Sequence, residues 1–196
     1  MKLRVGVIGV GAIADEKHLP NWQELESEGR VELIGVCDIL PDRAHEMGAK
    51  YGARVVHTDY RAMLSDGHYD IIDVCTQNRF HAPITIAALN AGAHVLVEKP
   101  MAMSSDECRA MIRAANENKR KLMVAQFMRF EPGPEKLKEV VDAGKLGTIY
   151  SANATYLRRR GIPGWGKFHL AKESLGGPLI DIGVHVLDLA IWLMGS

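Results

Sequence analysis

Short runs of apolar residues alternate with longer amphipathic runs over the first two-thirds of the chain. Several short runs are apolar at consecutive positions, which is typical of strands covered on both faces in a parallel sheet. The amphipathic runs between them predict helices, so the rhythm favours a doubly wound parallel sheet with crossover helices. Six strands are predicted, at Leu3–Ile8, Val31–Cys37, Arg54–His57, Ile71–Thr76, His94–Val97 and Leu122–Phe127.

The predicted helices carry recognisable start and stop signals. Ser104 and Glu107 have the spacing of a capping box at a helix start. Pro41 and Pro83 lie in the first turns of two other predicted helices, where proline is well tolerated, and the second of these helices is expected to end near Gly92. Helices are therefore expected in these connections between strands.

The pattern changes after residue 128, where we place a boundary between domains at 1–128 and 129–196. A short helix is predicted to end near Gly144–Gly147, followed by one long strand at Thr148–Arg158 and a last apolar helix from about Pro178 to Met194. A single strand needs partners for its backbone N–H and C=O groups. Because no other clear strand follows, we expect the second α/β domain to be incomplete in this chain and to self-associate.

Composition excludes several classes of protein. The 196 residues carry 24 Lys and Arg against 24 Asp and Glu, and this balance argues against a nucleic-acid-binding protein. No apolar stretch approaches the ~20 residues needed to cross a membrane. Cys37, Cys75 and Cys108 lie far apart, which is neither a disulfide framework nor a zinc motif, so we expect a reducing cytoplasm.

A Gly-x-Gly-x-x-Ala sequence, formed by Gly9, Gly11 and Ala14, follows the first strand and opens a helix. Such a turn brings backbone close to a pyrophosphate, and the helix N-terminus offers free N–H groups to the phosphates. We predict that Gly9, Gly11, Ala12 and Ile13 bind a dinucleotide. The alternative is a purely structural glycine turn.

Polar residues follow the second and fourth predicted strands. Asp38 ends the second strand, where an acid would bond the ribose 2′-hydroxyl and repel a 2′-phosphate, which favours NAD over NADP. Its alternative is a loop acid or helix cap before Pro41. Thr76 and Asn78 could hydrogen-bond the cofactor or serve as ordinary turn and cap residues, and spacing does not separate the two.

Glu98-Lys99-Pro100 ends the fifth predicted strand. A lysine at the carboxyl edge of a sheet is well placed to meet a substrate over the cofactor; the alternative is a solvated lysine. The Lys99–Pro100 bond is a candidate for the cis form. His18 is interpreted as structural.

The last helix places Asp181, His185 and Asp188 at i, i+4 and i+7, on one face. Polar groups on a mostly apolar helix are either satisfied in the core or functional. Three interpretations stay open from the helix alone: a core His–Asp pair, a metal site, or an acid/base dyad centred on the histidine.

In this order, Gly9-x-Gly11-x-x-Ala14, Asp73–His81, Glu98–Pro100 and Gly176–His185 resemble the motifs of the Gfo/Idh/MocA family, which includes glucose–fructose oxidoreductase and inositol dehydrogenase. The resemblance covers the whole chain. It implies a Rossmann domain followed by part of a substrate and oligomerisation domain built on an open sheet. It also implies NAD(P)-dependent hydride transfer to or from a sugar, a polyol or a related keto compound.

By resemblance, Lys99, Asp181 and His185 form the catalytic set, Glu98 and Lys99 also meet the cofactor, and no metal is involved. His185 would take the hydroxyl proton while Asp181 orients it. Gln77 replaces the proline common in the family's Thr-Pro-Asn segment. Two alternatives are a non-catalytic dinucleotide-binding sensor and an NAD-assisted glycoside hydrolase. The implied partner is a sugar or polyol.

Overall fold

The structure is a computed structural model that describes residues 2–157, 159 and 177–195. The chain divides into two compact units, Met1–Val124 and Ala125–Ser196. Arg158 and Gly176, named in the motifs above, lie outside the described residues.

The first unit contains one parallel sheet. Within residues 2–124 its six strands are β1 (Leu3–Ile8), β2 (Val31–Cys37), β3 (Val55–His57), β4 (Ile71–Val74), β5 (His94–Val97) and β6 (Leu122–Val124). They lie in the order β3-β2-β1-β4-β5-β6, and every neighbouring pair is parallel. The order runs outwards in both directions from the β1–β4 pair. Ligands of such sheets bind at this point, outside the carboxyl ends of the strands.

All six predicted strands are present, but β3, β4 and β6 are shorter than predicted. The largest differences are at carboxyl ends. Beyond Val74, the Cys75 N–H still donates to the Ile8 carbonyl, but the chain then turns into a short 3₁₀ helix at Asn78–Phe80. A polar turn at the sheet edge therefore ends β4 before Thr76.

Helices connect successive strands of the first unit. The glycine turn leads into a π-helical stretch, Ala14–His18, which continues as α1 (Leu19–Ser27). The Ser104 half of the predicted capping box is present, since the Glu107 N–H donates to Ser104 Oγ at 3.2 Å, whereas the Glu107 carboxylate accepts from the Met103 N–H at 2.8 Å. The other helices are α2 (Pro41–Tyr51), α3 (Tyr60–Asp66), α4 (His81–Asn90) and α5 (Ser105–Glu117).

Two clusters of buried side chains cover the faces of the sheet. Because successive residues of a strand point to opposite faces, Val5 and Val7 of β1 lie in one cluster and Ile8 lies in the other. Leu19 of α1 and Leu89 of α4 are fully buried in these two clusters. Burying one such side chain contributes about 1.5–3 kcal/mol to the stability of the fold. This packing holds the sheet, and with it the edge that carries the polar residues.

The regular elements in the described part of the second unit are helices. A 3₁₀ helix at Phe127–Phe130 precedes α6 (Pro132–Asp142), and a π-helical stretch at Leu179–Gly183 precedes α7 (Val184–Met194). The predicted short helix and last helix are therefore confirmed. None of the helices in the described parts of the chain is both long and apolar enough to cross a membrane.

The strand predicted at Thr148–Arg158 is wrong over residues 148–157, which adopt no regular strand. Residues such as Tyr150, Thr155 and Tyr156 favoured a strand, but strand propensity forms a ladder only when a neighbour supplies hydrogen bonds. Residues 150–157 are exposed, and no described residue of the second unit belongs to a strand. The expectation of self-association through this strand loses its original argument.

Candidate cofactor and active site

The glycine turn is fixed by close approach to β4. Gly9 has a φ of +87°, and a Cβ on Gly9 would lie 2.8 Å from the backbone carbonyl of Cys75 and from Cγ2 of Thr76. The Gly9 N–H also donates to the Cys37 carbonyl at 2.7 Å. A side chain at this position would therefore be strained in two ways, by backbone conformation and by space.

The side of the turn at Gly11 is open. A Cβ added to Gly11 would meet only Nη1 of Arg43, at 3.8 Å. Ala12 and Ile13, in the first turn of the helix, are exposed, whereas Ala14 is fully buried, as its motif position requires. An open space before free helix N–H groups fits a pyrophosphate, so these residues fit a dinucleotide.

Asp38 ends β2 and organises the turn. One carboxylate oxygen, Oδ2, accepts the buried Val10 N–H at 3.1 Å, and Oδ1 accepts the Leu40 N–H at 3.0 Å. Arg43 Nη1 lies 3.6 Å from Oδ2. The loop-acid role is thus present in the structure. Each oxygen keeps further acceptor capacity, and ribose binding by Asp38 stays a prediction.

Thr76 and Asn78 lie in the turn that follows β4. Thr76 lies beside Gly9, and Asn78 begins the 3₁₀ helix. Gln77, which stands where the family has proline, has a φ of −66°, which is the value that a proline ring fixes. The substitution therefore keeps the backbone of this loop compatible with the family's turn. Contact of Thr76 and Asn78 with the cofactor stays a prediction.

The Glu98-Lys99-Pro100 segment follows β5, and its Lys99–Pro100 bond is cis. Its main chain is held at both ends. The Lys99 N–H donates to Glu98 Oε2 at 2.9 Å. Nδ1 of the fully buried His81 lies 2.7 Å from the Pro100 carbonyl oxygen. Lys99, which is half-buried, therefore sits in a backbone that both neighbours restrain.

His81 faces two carbonyl groups, since its Nε2 lies 3.0 Å from the Thr76 carbonyl oxygen. Burial lowers the pKa of His81, although hydrogen bonding to the Pro100 and Thr76 carbonyls opposes this effect. A neutral imidazole has one N–H, so it donates to one of these carbonyls at a time. The His81 ring therefore lies between the turn after β4 and the Lys99 segment and donates to one of them at a time.

The residues that sequence reasoning missed form a buried charged cluster. His18 Nδ1 lies 2.8 Å from Asp73 Oδ2, and His18 Nε2 lies 2.9 Å from Glu98 Oε1. Burial alone would lower the pKa of His18, but its hydrogen bonds to Asp73 and Glu98 outweigh burial and raise the pKa to about 10. The structure gives His18 two partners that the sequence did not indicate, and its interpretation as structural stays a prediction. Asp73 within an apolar strand was the available signal, because a buried carboxylate requires partners.

Two further side chains surround Asp73. Trp22 Nε1 donates to Asp73 Oδ2 at 2.6 Å, and Cys75 Sγ lies 3.5 Å from Oδ1. Ligand atoms of His18, Asp73 and Cys75 lie within 4.8 Å of one another. Burial raises the pKa of the Cys75 thiol well above its usual value, so the thiolate that a metal needs is disfavoured. The polar atoms of His18, Asp73 and Trp22 hydrogen-bond mainly within this cluster.

The second unit holds the predicted histidine. His185 is buried, and its ring lies edge-on to Phe127 with the centroids 5.0 Å apart. Asp181 is half-buried in the π-helical stretch before α7. Asp188 accepts two hydrogen bonds from Arg129, each of 2.6 Å. Because Asp188 is engaged by a guanidinium, the acid/base interpretation of this face depends on Asp181 and His185.

The structure thus gathers the predicted cofactor residues of the first unit at the carboxyl edge of its sheet. They are Gly9, Gly11, Ala12, Ile13, Asp38, Thr76, Asn78, Glu98 and Lys99. The proposed catalytic set draws on both units, because Lys99 belongs to the first and Asp181 and His185 belong to the second. Its assembly stays a prediction.

Comparison with protein-family models gives two matches. Residues 3–126 match the GFO_IDH_MocA model, described as an oxidoreductase family with an NAD-binding Rossmann fold. Residues 135–196 match a GFO/IDH/MocA C-terminal domain. Together they confirm the predicted family resemblance, the Rossmann-like fold class and the assignment to an NAD-binding family.

Individual relatives support the same family. The chain is 41% identical over 193 residues to D-glucoside 3-dehydrogenase of Escherichia coli, covering 98% of this chain and 54% of that protein. It is 28% identical over 198 residues to inositol 2-dehydrogenase of Salmonella typhimurium, covering 100% and 56%. The solved WlbA dehydrogenase of Bordetella pertussis, in complex with NADH and UDP-GlcNAcA, aligns with a TM-score of 0.83 and 26% identity over 100% of this chain and 59% of that one. The chain spans about half the length of these relatives.

Proposed function

Because the chain belongs to the Gfo/Idh/MocA family of oxidoreductases, we propose that the protein is an NAD-dependent dehydrogenase of sugars or polyols, or a reductase of the matching ketones. One observation carries the proposal. An open glycine turn and the lysine of Glu98-Lys99-Pro100 share the carboxyl edge of one parallel sheet. The names of the relatives, which act on a glucoside and an inositol, support the substrate class.

Binding of the cofactor is assigned to the backbone of Gly9, Gly11, Ala12 and Ile13 for the pyrophosphate. Asp38 is assigned to the adenosine ribose, and an acid at this place favours NAD over NADP. We assign Thr76, Asn78 and Glu98 to the nicotinamide side, because they lie along the same sheet edge. The bound nicotinamide supplies the hydride chemistry.

The remaining steps belong to side chains of this chain. In the oxidation direction His185 accepts the proton of the substrate hydroxyl, because imidazole exchanges protons near neutral pH. Asp181, four residues before it, orients the ring. The Lys99 ammonium stabilises the negative charge that develops on the substrate oxygen. Reduction uses the same groups in reverse, and no metal is assigned a role.

We also propose that the protein works in a reducing cytoplasm as a homo-oligomer, without nucleic acid or membrane partners. Its three cysteines are free, and its charges balance. Large apolar side chains of the second unit, among them Tyr150, Leu157 and Leu179, are exposed and support association. Light scattering on the purified full-length protein measures the mass; a monomer at micromolar concentration contradicts the oligomer.

The test of function is an assay of NADH formation with the full-length protein on a panel of glucosides, inositols and other polyols. We expect net NADH with at least one of them. Lys99→Ala and His185→Ala should remove most of kcat while calorimetry still detects NAD. Lys121→Ala and His94→Ala, at the amino edge of the sheet, are the matched controls and should keep wild-type rates.

Other outcomes separate the alternatives. A sugar released from a glycoside without net NADH would indicate the NAD-assisted hydrolase instead. Binding of NAD without turnover of any kind would favour the sensor. Calorimetry that detects neither NAD nor NADP would reject a dinucleotide-dependent function altogether.

A further inference from the structure

The cluster around Asp73 connects the helix that follows the glycine turn to the Lys99 segment. Asp73 is fully buried, and the side chains of His18 and Glu98 are only 10% and 12% exposed. The carboxylates of Asp73 and Glu98 both contact the His18 ring, and they would repel each other without a cation between them. The His18 imidazole occupies that place, with one ring nitrogen on each carboxylate.

Each ring nitrogen of His18 therefore faces a charged acceptor. The two hydrogen bonds are both made only by the doubly protonated ring, which has two N–H donors. A pKa of about 10 for His18 agrees with this geometry. Trp22 Nε1 occupies a further lone pair of Asp73, so the acid is fixed independently of His18.

Glu98 transmits this arrangement to Lys99. Its Oε1 accepts from His18 and its Oε2 accepts from the Lys99 N–H. The carboxylate therefore ties the imidazolium to the main chain of the lysine. On the other side of Lys99, Nδ1 of His81 contacts the Pro100 carbonyl oxygen. Because His81 holds the chain at Pro100, a shift of Glu98 would change the backbone conformation at Lys99.

The helix that carries His18 begins at the glycine turn. The π-helical stretch Ala14–His18 has wider turns than an α-helix, and such segments recur at functional sites because they redirect one side chain. Ala14, at the start of this stretch, is fully buried against the sheet. One helix thus carries both the N-terminal N–H groups for the cofactor and the cation that holds Glu98.

We propose that His18 is a positioning residue. It holds Glu98, and through Glu98 it fixes the position of the Lys99 backbone relative to the glycine turn. The proposal rests on the dehydrogenase function proposed above. His18 is assigned no direct contact with the substrate. Its loss should misplace the Lys99 amino group, and a misplacement of about 1 Å can lower a rate by roughly 100-fold.

The test compares His18→Gln, Glu98→Gln and the double variant with the wild type, with His94→Gln as the matched control. His94 lies at the start of β5, at the opposite edge of the sheet, where its Nδ1 accepts the Lys121 N–H. We expect the two single variants to lower kcat by about 100-fold, and in His18→Gln the change in the Kd for NAD should be much smaller. The double variant should be no worse than either one, because both act through one contact.

A second readout needs no activity. Amide hydrogen exchange at Lys99, measured by NMR, should accelerate in His18→Gln and remain at the wild-type rate in His94→Gln. In the wild type, the imidazole ¹⁵N shifts of His18 should report a doubly protonated ring at pH 8. If His18→Gln does not fold, the wild-type ¹⁵N shifts and the Glu98→Gln variant test the same contacts.

Unchanged Lys99 exchange in a folded His18→Gln protein, or a neutral His18 ring at pH 8, would overturn the proposal. A loss of kcat and of NAD affinity to the same degree, with lowered stability, would reduce His18 to a structural ion pair. If the wild type shows no dehydrogenase activity, the proposed function fails, whereas the exchange and ¹⁵N measurements still decide whether His18 positions Lys99.

Discussion

The Asp38 carboxylate accepts a hydrogen bond from the Val10 N–H, 3.1 Å away in the glycine turn. The acid predicted to select the ribose therefore also shapes the loop that receives the pyrophosphate. Two parts of the predicted nucleotide site, 28 residues apart in sequence, are joined by one buried contact. Substitutions at Asp38 should consequently affect stability and cofactor binding together.

Asp38→Ala should weaken NAD binding and lower the free energy of unfolding by about 1–3 kcal/mol, because the buried Val10 N–H loses its acceptor. The preference for NAD over NADP should also shrink, since a 2′-phosphate would no longer meet a carboxylate. Calorimetry with each dinucleotide and urea unfolding measure both effects. Asp42→Ala, on the exposed first turn of α2, is the control. Weakened NAD binding with wild-type stability would assign Asp38 to the ribose alone.

Gly9→Ala and Gly11→Ala should behave differently. Alanine at Gly9 must adopt a φ of +87° and its Cβ would lie 2.8 Å from the Cys75 carbonyl, so we expect destabilisation of at least about 1–2 kcal/mol from the backbone conformation alone. Alanine at Gly11 meets only Arg43 Nη1 at 3.8 Å, so the protein should stay folded while binding NAD less well. Thermal unfolding and calorimetry on the two variants measure the contrast. Equal melting temperatures would contradict it.

The stability of the wild type should depend on pH through His18. Its pKa is about 10 in the folded protein and 6.5 without its partners, so the folded state binds more protons than the unfolded state between these values. The stabilisation is complete below about pH 6.5 and is lost as pH rises towards 10, on the order of a few kcal/mol in total. Urea unfolding at intervals across this range should show the decline. The slope should be much smaller in His18→Gln, and an equal slope there would mean that other groups cause it.

Asp188→Asn should lower stability and leave NAD binding unchanged. The variant weakens the two hydrogen bonds from Arg129, and because that guanidinium is 36% exposed we expect about 1 kcal/mol of destabilisation. Glu139→Gln, in an exposed pair with Lys136 on α6, is the matched control and should have little effect. Urea unfolding and calorimetry measure both variants. A large loss of NAD affinity in Asp188→Asn would return Asp188 to the candidate site.

The strands of the first unit could be predicted because each is a short apolar run and a parallel sheet buries both faces of such a run. Their ends were less accurate, because Thr76 and Ala125 lie where turns, rather than hydrophobicity, decide where a strand stops. The strand at Thr148–Arg158 was wrong over its described residues for a related reason. Its residues have strand propensity, but only neighbouring strands would satisfy their backbone groups.

His18 shows what the sequence left open. Its partners Asp73 and Glu98 lie 55 and 80 residues away, and no local spacing relates them. Asp73 in an apolar strand signalled that a partner was needed, and the partner's identity depended on which side chain the π-helical stretch turned towards it. The pair of Asp188 with Arg129, 59 residues away, could not be predicted either, because no local spacing relates the two residues.

The sequence by itself determined the succession of strands and helices along the chain, the glycine turn and the family, because periodicity and motif spacing are local properties of the chain. Only the tertiary structure decided that Asp38 supports the glycine turn, that Asp188 pairs with Arg129, and that the His18 imidazole lies between the carboxylates of Asp73 and Glu98 beside Lys99. Those contacts join residues distant in sequence, and their strength comes from burial, which exists only once the sheet and its covering helices have packed.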